Sequence, residues 1–180
     1  ASIENTKATE LISLSDLNKS LQSNLKTFAG LTFKNQNSFI INEGSKFFEY
    51  NLMSKTGIKI QELNEKDENT SFDSKKEMIA FTQKNNLFYY SKNQEKVEIT
   101  KNIDENIVAG QSIARNEFGI SKGIFWSPNS KFLAFYQKDE TEVANYPILD
   151  INETPGKLES IKYPMIGQKS EKPKVGIYNV

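Results

Sequence analysis

Two residue types are missing from this 180-residue chain, cysteine and histidine, and arginine occurs once, at Arg115. Without cysteine there is no thiol nucleophile, no disulfide and no thiolate ligand for a metal. Without histidine the chain lacks the usual general base of serine and cysteine hydrolases and the commonest transition-metal ligand. A hydrolase built from these residues alone needs a carboxylate or lysine mechanism. No stretch approaches the ~18 consecutive apolar residues of a membrane span, so this segment is not expected to cross a bilayer. Acidic and basic residues balance at 23 each, which leaves no strong global field for nucleic acid or anionic lipid. A cysteine-free chain suits an exported protein, periplasmic or secreted, although small cytosolic domains lack cysteine too. The chain opens on Ala1 without a signal-peptide pattern, as a processed or trimmed protein does.

The residues present, 37% apolar and 26% charged, are those of a globular protein. Near the start, Leu11, Leu14, Leu17, Leu21 and Leu25 recur at three- and four-residue spacing, with Ser13 and Asp16 placed as a capping box. The spacing predicts a short amphipathic helix over 14–24, inside a lead-in at 1–27, with its leucine stripe as a docking face. After residue 27 short runs rich in Phe, Tyr, Ile and Val alternate with Gly, Asn, Ser and Lys turns. Strands are expected over 38–42, 46–52, 58–63, 78–82, 86–91, 96–100, 123–126, 132–137 and 174–180. The acidic run at Glu65, Asp67 and Glu68 is expected to be a solvated loop.

These runs repeat as sets. Ser38-Phe39-Ile40-Ile41 leads to Phe47-Phe48-Glu49-Tyr50, then a Lys55-Thr56-Gly57 turn and Ile58-Lys59-Ile60. Met78-Ile79-Ala80-Phe81 leads to Leu87-Phe88-Tyr89-Tyr90, then Asn93-Gln94 and Lys96-Val97-Glu98-Ile99. A third set starts at Phe125-Trp126-Ser127-Pro128-Asn129-Ser130-Lys131-Phe132-Leu133-Ala134-Phe135 and, after a long insertion, resumes at Val175-Gly176-Ile177-Tyr178-Asn179-Val180. A period of about 35–45 residues belongs to propeller blades. The expected fold is all-β, a partial β-propeller of about three antiparallel blades (28–67, 68–104 and 105–180), the last incomplete, behind a short N-terminal helix. Trp126 enters the Pro-Asn turn as a packing residue between blades. Propellers close with about four to eight blades, so an open arc leaves unpaired edges. The protein is therefore expected to continue beyond Val180, or to take its missing elements from another copy.

One region carries a specific resemblance. Glu117-Phe118-Gly119-Ile120-Ser121-Lys122-Gly123-Ile124-Phe125-Trp126-Ser127-Pro128, then Leu133-Ala134-Phe135-Tyr136, resembles the blade that holds the substrate-anchoring loop in the dipeptidyl peptidase IV family of serine peptidases. Asp139-Glu140-Thr141-Glu142-Val143, Tyr146-Pro147 and Ile161-Lys162-Tyr163-Pro164 with Gly167 and Pro173 are similar to further motifs of the same blade. Leu14-Ser15-Asp16-Leu17 is similar to the lead-in helix.

The resemblance implies that the catalytic Ser, Asp and His lie in an α/β-hydrolase domain downstream of Val180, announced by a Gly-X-Ser-X-Gly elbow. It implies no catalytic residue in this chain and no cofactor. The propeller part would gate access and anchor the free N-terminus of peptide substrates, because a carboxylate bonded to an ammonium fixes the register at a distant nucleophile. Family members carry two adjacent glutamates before the Phe, whereas this chain has Arg115-Asn116-Glu117. Glu117, Asn116 and Arg115 are the candidate amine-binding residues, with dipeptidyl and tripeptidyl specificity both open. Arg115 fits a clamp on a substrate carbonyl or carboxylate, an orienting partner for Glu117, or a structural ion pair. Asp139 and Glu140 would support the anchoring loop. With Glu142 they also raise a cation site, but without EF-hand-like spacing. The insertion at 140–174 offers a surface for a homodimer. The competing readings are a stand-alone propeller-like module that binds peptides without cleaving them, and a glycosidase, for which no carboxylate pair is nominated.

Overall fold

The computed structural model describes residues 10–28 and 30–180. Residues 1–9 of the expected lead-in lie outside the described residues. The chain divides into two compact units, Ala1–Glu65 and Lys66–Val180.

In the first unit, helix α1 (Leu14–Leu21) starts where theory places it. The Ser13 hydroxyl accepts the Asp16 N–H at 3.1 Å and donates to the Asp16 carboxylate at 2.8 Å, so one cap satisfies an otherwise orphaned donor. The helix stops three residues short of the expected end, at Gln22 in the left-handed region (φ 52). The cause is Asn18. Its side-chain oxygen accepts from the Leu25 N–H and the Ser23 hydroxyl, and its amide donates to the Leu25 carbonyl. Those bonds close a loop that competes with further helix.

Leu17, Leu21 and Leu25 are buried with Phe39, Ile41, Phe48 and Tyr50. The last four come from an antiparallel meander of β1 (Thr32–Asn35), β2 (Ser38–Glu43), β3 (Lys46–Asn51) and β4 (Thr56–Glu62), paired in that order. Docking is close at Gly57 on β4. A Cβ there would sit 2.0 Å from Leu21 Cδ2, so the helix settles on the strand only because that position has no side chain.

The second unit begins with another four-stranded meander, β5 (Glu68–Asp73), β6 (Met78–Gln83), β7 (Asn86–Tyr90) and β8 (Lys96–Glu98). The chain continues through β9 (Ile107–Ala109), β10 (Ile124–Trp126), β11 (Phe132–Asp139), β12 (Asn145–Asp150), β13 (Lys157–Lys162) and β14 (Lys172–Asn179). Strand β11 lies between β10 and β14, and its far end also pairs β9. Its register with β14 runs unbroken from Phe132↔Asn179 to Asp139↔Lys172. Strands β12 and β13 form a separate two-stranded ribbon, Asn145↔Lys162 through Asp150↔Lys157.

The core of this unit gathers Ala80 and Leu87 with Ala109, Ile124, Leu133 and Phe135. Trp126 joins it, donating its indole N–H to the Ser71 carbonyl at 3.0 Å and meeting Tyr89 edge-on at 6.3 Å. Beside it the Ser130 hydroxyl donates to the buried Asp73 at 2.8 Å. Trp126 thus packs one sheet on the next, as its place before the Pro-Asn turn predicts.

Apart from α1 and one short turn, the regular structure is antiparallel β. Meanders of four strands recurring along one chain are propeller blades, and the fold is part of a β-propeller. Strands β1, β5, β9, β12 and β13 were not expected. The acidic run is not all loop. Glu68 opens β5 opposite Thr82, and Asp67 accepts the Gln83 amide at 2.6 Å. The strand is held by its backbone ladder, and Glu68 keeps its charge in solvent. Among the described residues no helix is long and apolar enough to cross a membrane.

Candidate functional site: a pinned loop over a shallow cleft

Between β9 and β10 the chain leaves the sheet for residues 110–123. Both feet of this loop stand on one residue of β11. The Gly110 N–H donates to the Tyr136 carbonyl at 2.8 Å, and the Tyr136 N–H donates to the Gly123 carbonyl at 3.0 Å. The feet touch closely enough that a Cβ on Gly123 would lie 2.2 Å from the Gln111 carbonyl oxygen. Glycine is required there by close approach of backbone to backbone.

At the tip, Ala114, Arg115 and Asn116 are all left-handed (φ 50, 50 and 63), and Phe118 follows at φ 56. For residues with a Cβ this conformation costs roughly 1–2 kcal/mol each, so the surroundings must hold it. Within the turn, the Glu117 N–H donates to the Ala114 carbonyl at 2.8 Å and the Ser112 hydroxyl to the Asn116 side-chain oxygen at 2.6 Å. From outside, the Ala114 N–H donates to Glu171 Oε1 at 2.7 Å. The Arg115 guanidinium donates to the Lys162 carbonyl and lies 4.8 Å from the Tyr163 ring centre, a cation–π contact.

A cavity of about 290 Å³ opens beside the turn, lined by Arg115, Glu117, Phe118, Tyr163, Pro164 and Glu171 among others. The Glu117 side chain is exposed, and among the described residues its carboxylate takes no hydrogen bond or ion pair. Glu171 differs. Its side chain is only 10% exposed and sits 3.9 Å from Lys138 Nζ, which in turn pairs Glu140 at 3.1 Å. The site therefore offers one free carboxylate, one oriented guanidinium and an aromatic face, with a second carboxylate engaged behind them.

The structure brings Arg115, Asn116 and Glu117 together on one turn. Glu140 stands two links away, reaching the turn through Lys138 and Glu171. Asp139 points elsewhere, accepting the Thr141 hydroxyl at 2.6 Å and the Thr141 N–H at 3.0 Å. Those two bonds hold its carboxyl below the usual value. Glu142 is also held low, by hydrogen bonds from Lys169 and then Lys172. Among the described residues, no group of three or more acidic side chains is arranged to hold a metal ion. Sequence reasoning missed Glu171, Lys138 and the carbonyl of Lys162. Tyr163 was flagged only as part of a motif.

A charged loop pinned to a blade thus faces a shallow cleft in a part of a β-propeller. The sequence matches the family described as the dipeptidyl peptidase IV (DPP IV) N-terminal region over residues 31–180, and the chain belongs to that family. It is 25% identical over 145 residues to dipeptidyl aminopeptidase B of Saccharomyces cerevisiae, a match covering 76% of this chain and 18% of the yeast protein. A probable dipeptidyl-aminopeptidase B of Penicillium rubens is 29% identical over 118 residues, 57% of this chain and 13% of the relative. The chain thus spans less than a fifth of these curated relatives. Among solved structures, a putative dipeptidyl aminopeptidase IV from Bacteroides ovatus superposes with a TM-score of 0.79 at 34% identity, over 96% of this chain and 24% of the other. Porphyromonas gingivalis dipeptidyl peptidase 4 shares the fold, with a TM-score of 0.60 at 23% identity over 84% of this chain and 22% of the other.

Proposed function

We propose that this chain is the non-catalytic propeller segment of a dipeptidyl peptidase IV-like serine exopeptidase, and that its loop at 110–123 anchors the free N-terminus of peptide substrates. The carrying observation is the unpaired Glu117 carboxylate beside the cleft, next to an Arg115 held in place by Lys162 and Tyr163. An ammonium bonded to Glu117 is a charge-assisted pair, stronger than a neutral hydrogen bond. Arg115 is placed for a carbonyl or carboxylate of the same peptide, and the Asn116 amide borders the turn. Glu140 supports the loop from the end of β11 through Lys138 and Glu171, whereas Asp139 is engaged with Thr141. With one free glutamate in place of an adjacent pair, the number of residues accepted before the scissile bond follows from how deep Glu117 lets the amine sit. Dipeptidyl and tripeptidyl release are both compatible with that arrangement.

The reading extends to the whole protein. A downstream α/β-hydrolase domain supplies the Ser-His-Asp machinery, since this chain has no histidine to serve as its general base. The loop and the end of the ribbon gate access to the cleft. The exposed apolar side chains of the ribbon, Leu149 and Leu158 among them, are a surface for homodimer formation. A periplasmic or secreted bacterial enzyme fits the cysteine-free sequence and the 34% identity to a Bacteroides protein.

The test is Glu117→Gln in the full-length protein. It is expected to lower kcat/KM at least about tenfold for peptides with a free N-terminus, the loss of one bond to a charged group. N-blocked peptides should be hardly affected. An equal loss on both kinds of substrate removes Glu117 from amine recognition.

A further inference from the structure

The left-handed turn poses a question of its own. Three consecutive residues with side chains occupy a conformation that L-residues avoid, and the bonds within the turn are local ones, Asn116 N–H to the Ile113 carbonyl, Glu117 N–H to the Ala114 carbonyl and the Ser112 hydroxyl to the Asn116 side chain. The remaining hold comes from a distant part of the chain. Glu171 reaches the Ala114 N–H across 57 residues of sequence.

The position of Glu171 is not accidental to the sheet. Pairing of β11 with β14 sets Lys138 opposite Pro173 and Asp139 opposite Lys172. Glu171, just before β14, therefore emerges beside the end of β11. Lys138 and Glu140 are there to meet it, with side chains 14% and 10% exposed. A carboxylate this sheltered is held in one place by its cation and by the backbone donor in front of it. One carboxylate oxygen takes the Ala114 N–H; the other faces Lys138. Glu171 thus ties the tip of the loop to the one strand, β11, that already carries both of its feet.

We infer that Glu171, backed by Lys138, is a positioning residue that holds the 114–116 turn in its left-handed form and so sets the directions of Arg115 and Glu117. The inference rests on the reading of that turn as the substrate anchor. It assigns Glu171 no contact with substrate; the residue acts through the backbone of Ala114. Two consequences separate this from a general packing role. An acceptor oxygen is needed at position 171, but a charge is not. The effect should also fall on substrate binding, through KM, and leave the chemical step alone.

The test uses the full-length protein with Glu171→Ala, Glu171→Gln and Lys138→Met. Amide hydrogen exchange is followed over 112–120, with the strand segment 78–90 as internal reference. Glu171→Ala is expected to quicken exchange in the loop about tenfold and to raise KM for free-amine peptides by a similar factor, with kcat within about twofold of native. Glu171→Gln, which keeps an acceptor for the Ala114 N–H, should restore both to within about threefold of native. Lys138→Met, which leaves Glu171 in place without its cation, should quicken loop exchange by about threefold. Native exchange rates in both Glu171→Ala and Lys138→Met overturn the inference, as does a Gln variant that behaves like Ala. Faster loop exchange with unchanged KM leaves the positioning role standing and removes the anchoring role of the turn. The two ideas therefore fail separately.

Discussion

Strands β6 and β12 belong to the same unit and use similar residues, Met-Ile-Ala-Phe in one and Tyr-Pro-Ile-Leu in the other. Their fates are opposite. The first five residues of β6 are buried, while the first five of β12 are exposed. Strand β6 lies between β5 and β7, whereas β12 has β13 alone for a neighbour. Apolar area contributes roughly 25 cal/mol per Å² only once water has been removed from it, and a two-stranded ribbon has no second layer to remove it. Along the ribbon Tyr146, Ile148, Leu149, Leu158 and Ile161 each remain more than a third exposed. An apolar strand says that a face is to be covered; the topology decides whether this chain covers it.

The comparison is broken most severely at Phe81. Its ring is fully buried, stacked 4.6 Å from Tyr90 and 5.8 Å from Phe88. Phe81→Ala is expected to lower the free energy of unfolding by about 3–5 kcal/mol, measured by urea denaturation. At the other extreme, Leu149 and Leu158 face each other across the ribbon. In the monomer, replacing both by Ser should change stability by no more than about 0.5 kcal/mol, whereas a larger loss means that the ribbon is covered in solution, as the proposed homodimer requires.

The smallest effect is electrostatic. The Glu142 carboxyl is held below its ordinary value of 4.5 by Lys169 and Lys172. A depressed carboxyl contributes stability above its unfolded value and loses it as pH falls through the folded one. On acidification below about pH 4.5, the native protein should therefore lose slightly more stability than Glu142→Gln. Because the group is exposed, the difference should be slight and should vanish in molar salt. A difference that survives high salt would contradict a solvent-screened origin.

Much of the sheet framework was legible because its inner strands are written as short continuous apolar runs. Ser38-Phe39-Ile40-Ile41 and Met78-Ile79-Ala80-Phe81 announce themselves. Strands β1 and β5 do not, since Thr-Phe-Lys-Asn and Glu-Asn-Thr-Ser-Phe-Asp are polar segments recruited by backbone pairing, which leaves no mark on composition. The helix start was readable from Ser13 and Asp16, but its end depended on the Asn18 side chain finding Leu25. The candidate site divides in the same way. Arg115, Asn116 and Glu117 stand out as charged and amide residues just ahead of a recognisable blade. Glu171 and Lys162 do not, because each bond joins a side chain to a backbone group, and the partners lie 57 and 47 residues apart in sequence. Such pairs become visible only once β11 and β14 are in register.

The two feet of the 110–123 loop rest on the two backbone groups of a single residue, Tyr136. This arrangement works as a socket. Whatever lies between Gly110 and Gly123 can be lengthened, shortened or exchanged while the sheet below keeps its ladder, and doubling a loop's length costs only about 0.6 kcal/mol in closure entropy. The blade can therefore stay constant while the insert is revised, and a transplanted insert of different length should seat on the same two bonds. Revising the loop is a matter of swapping cargo in a fixed mount, without rebuilding the blade.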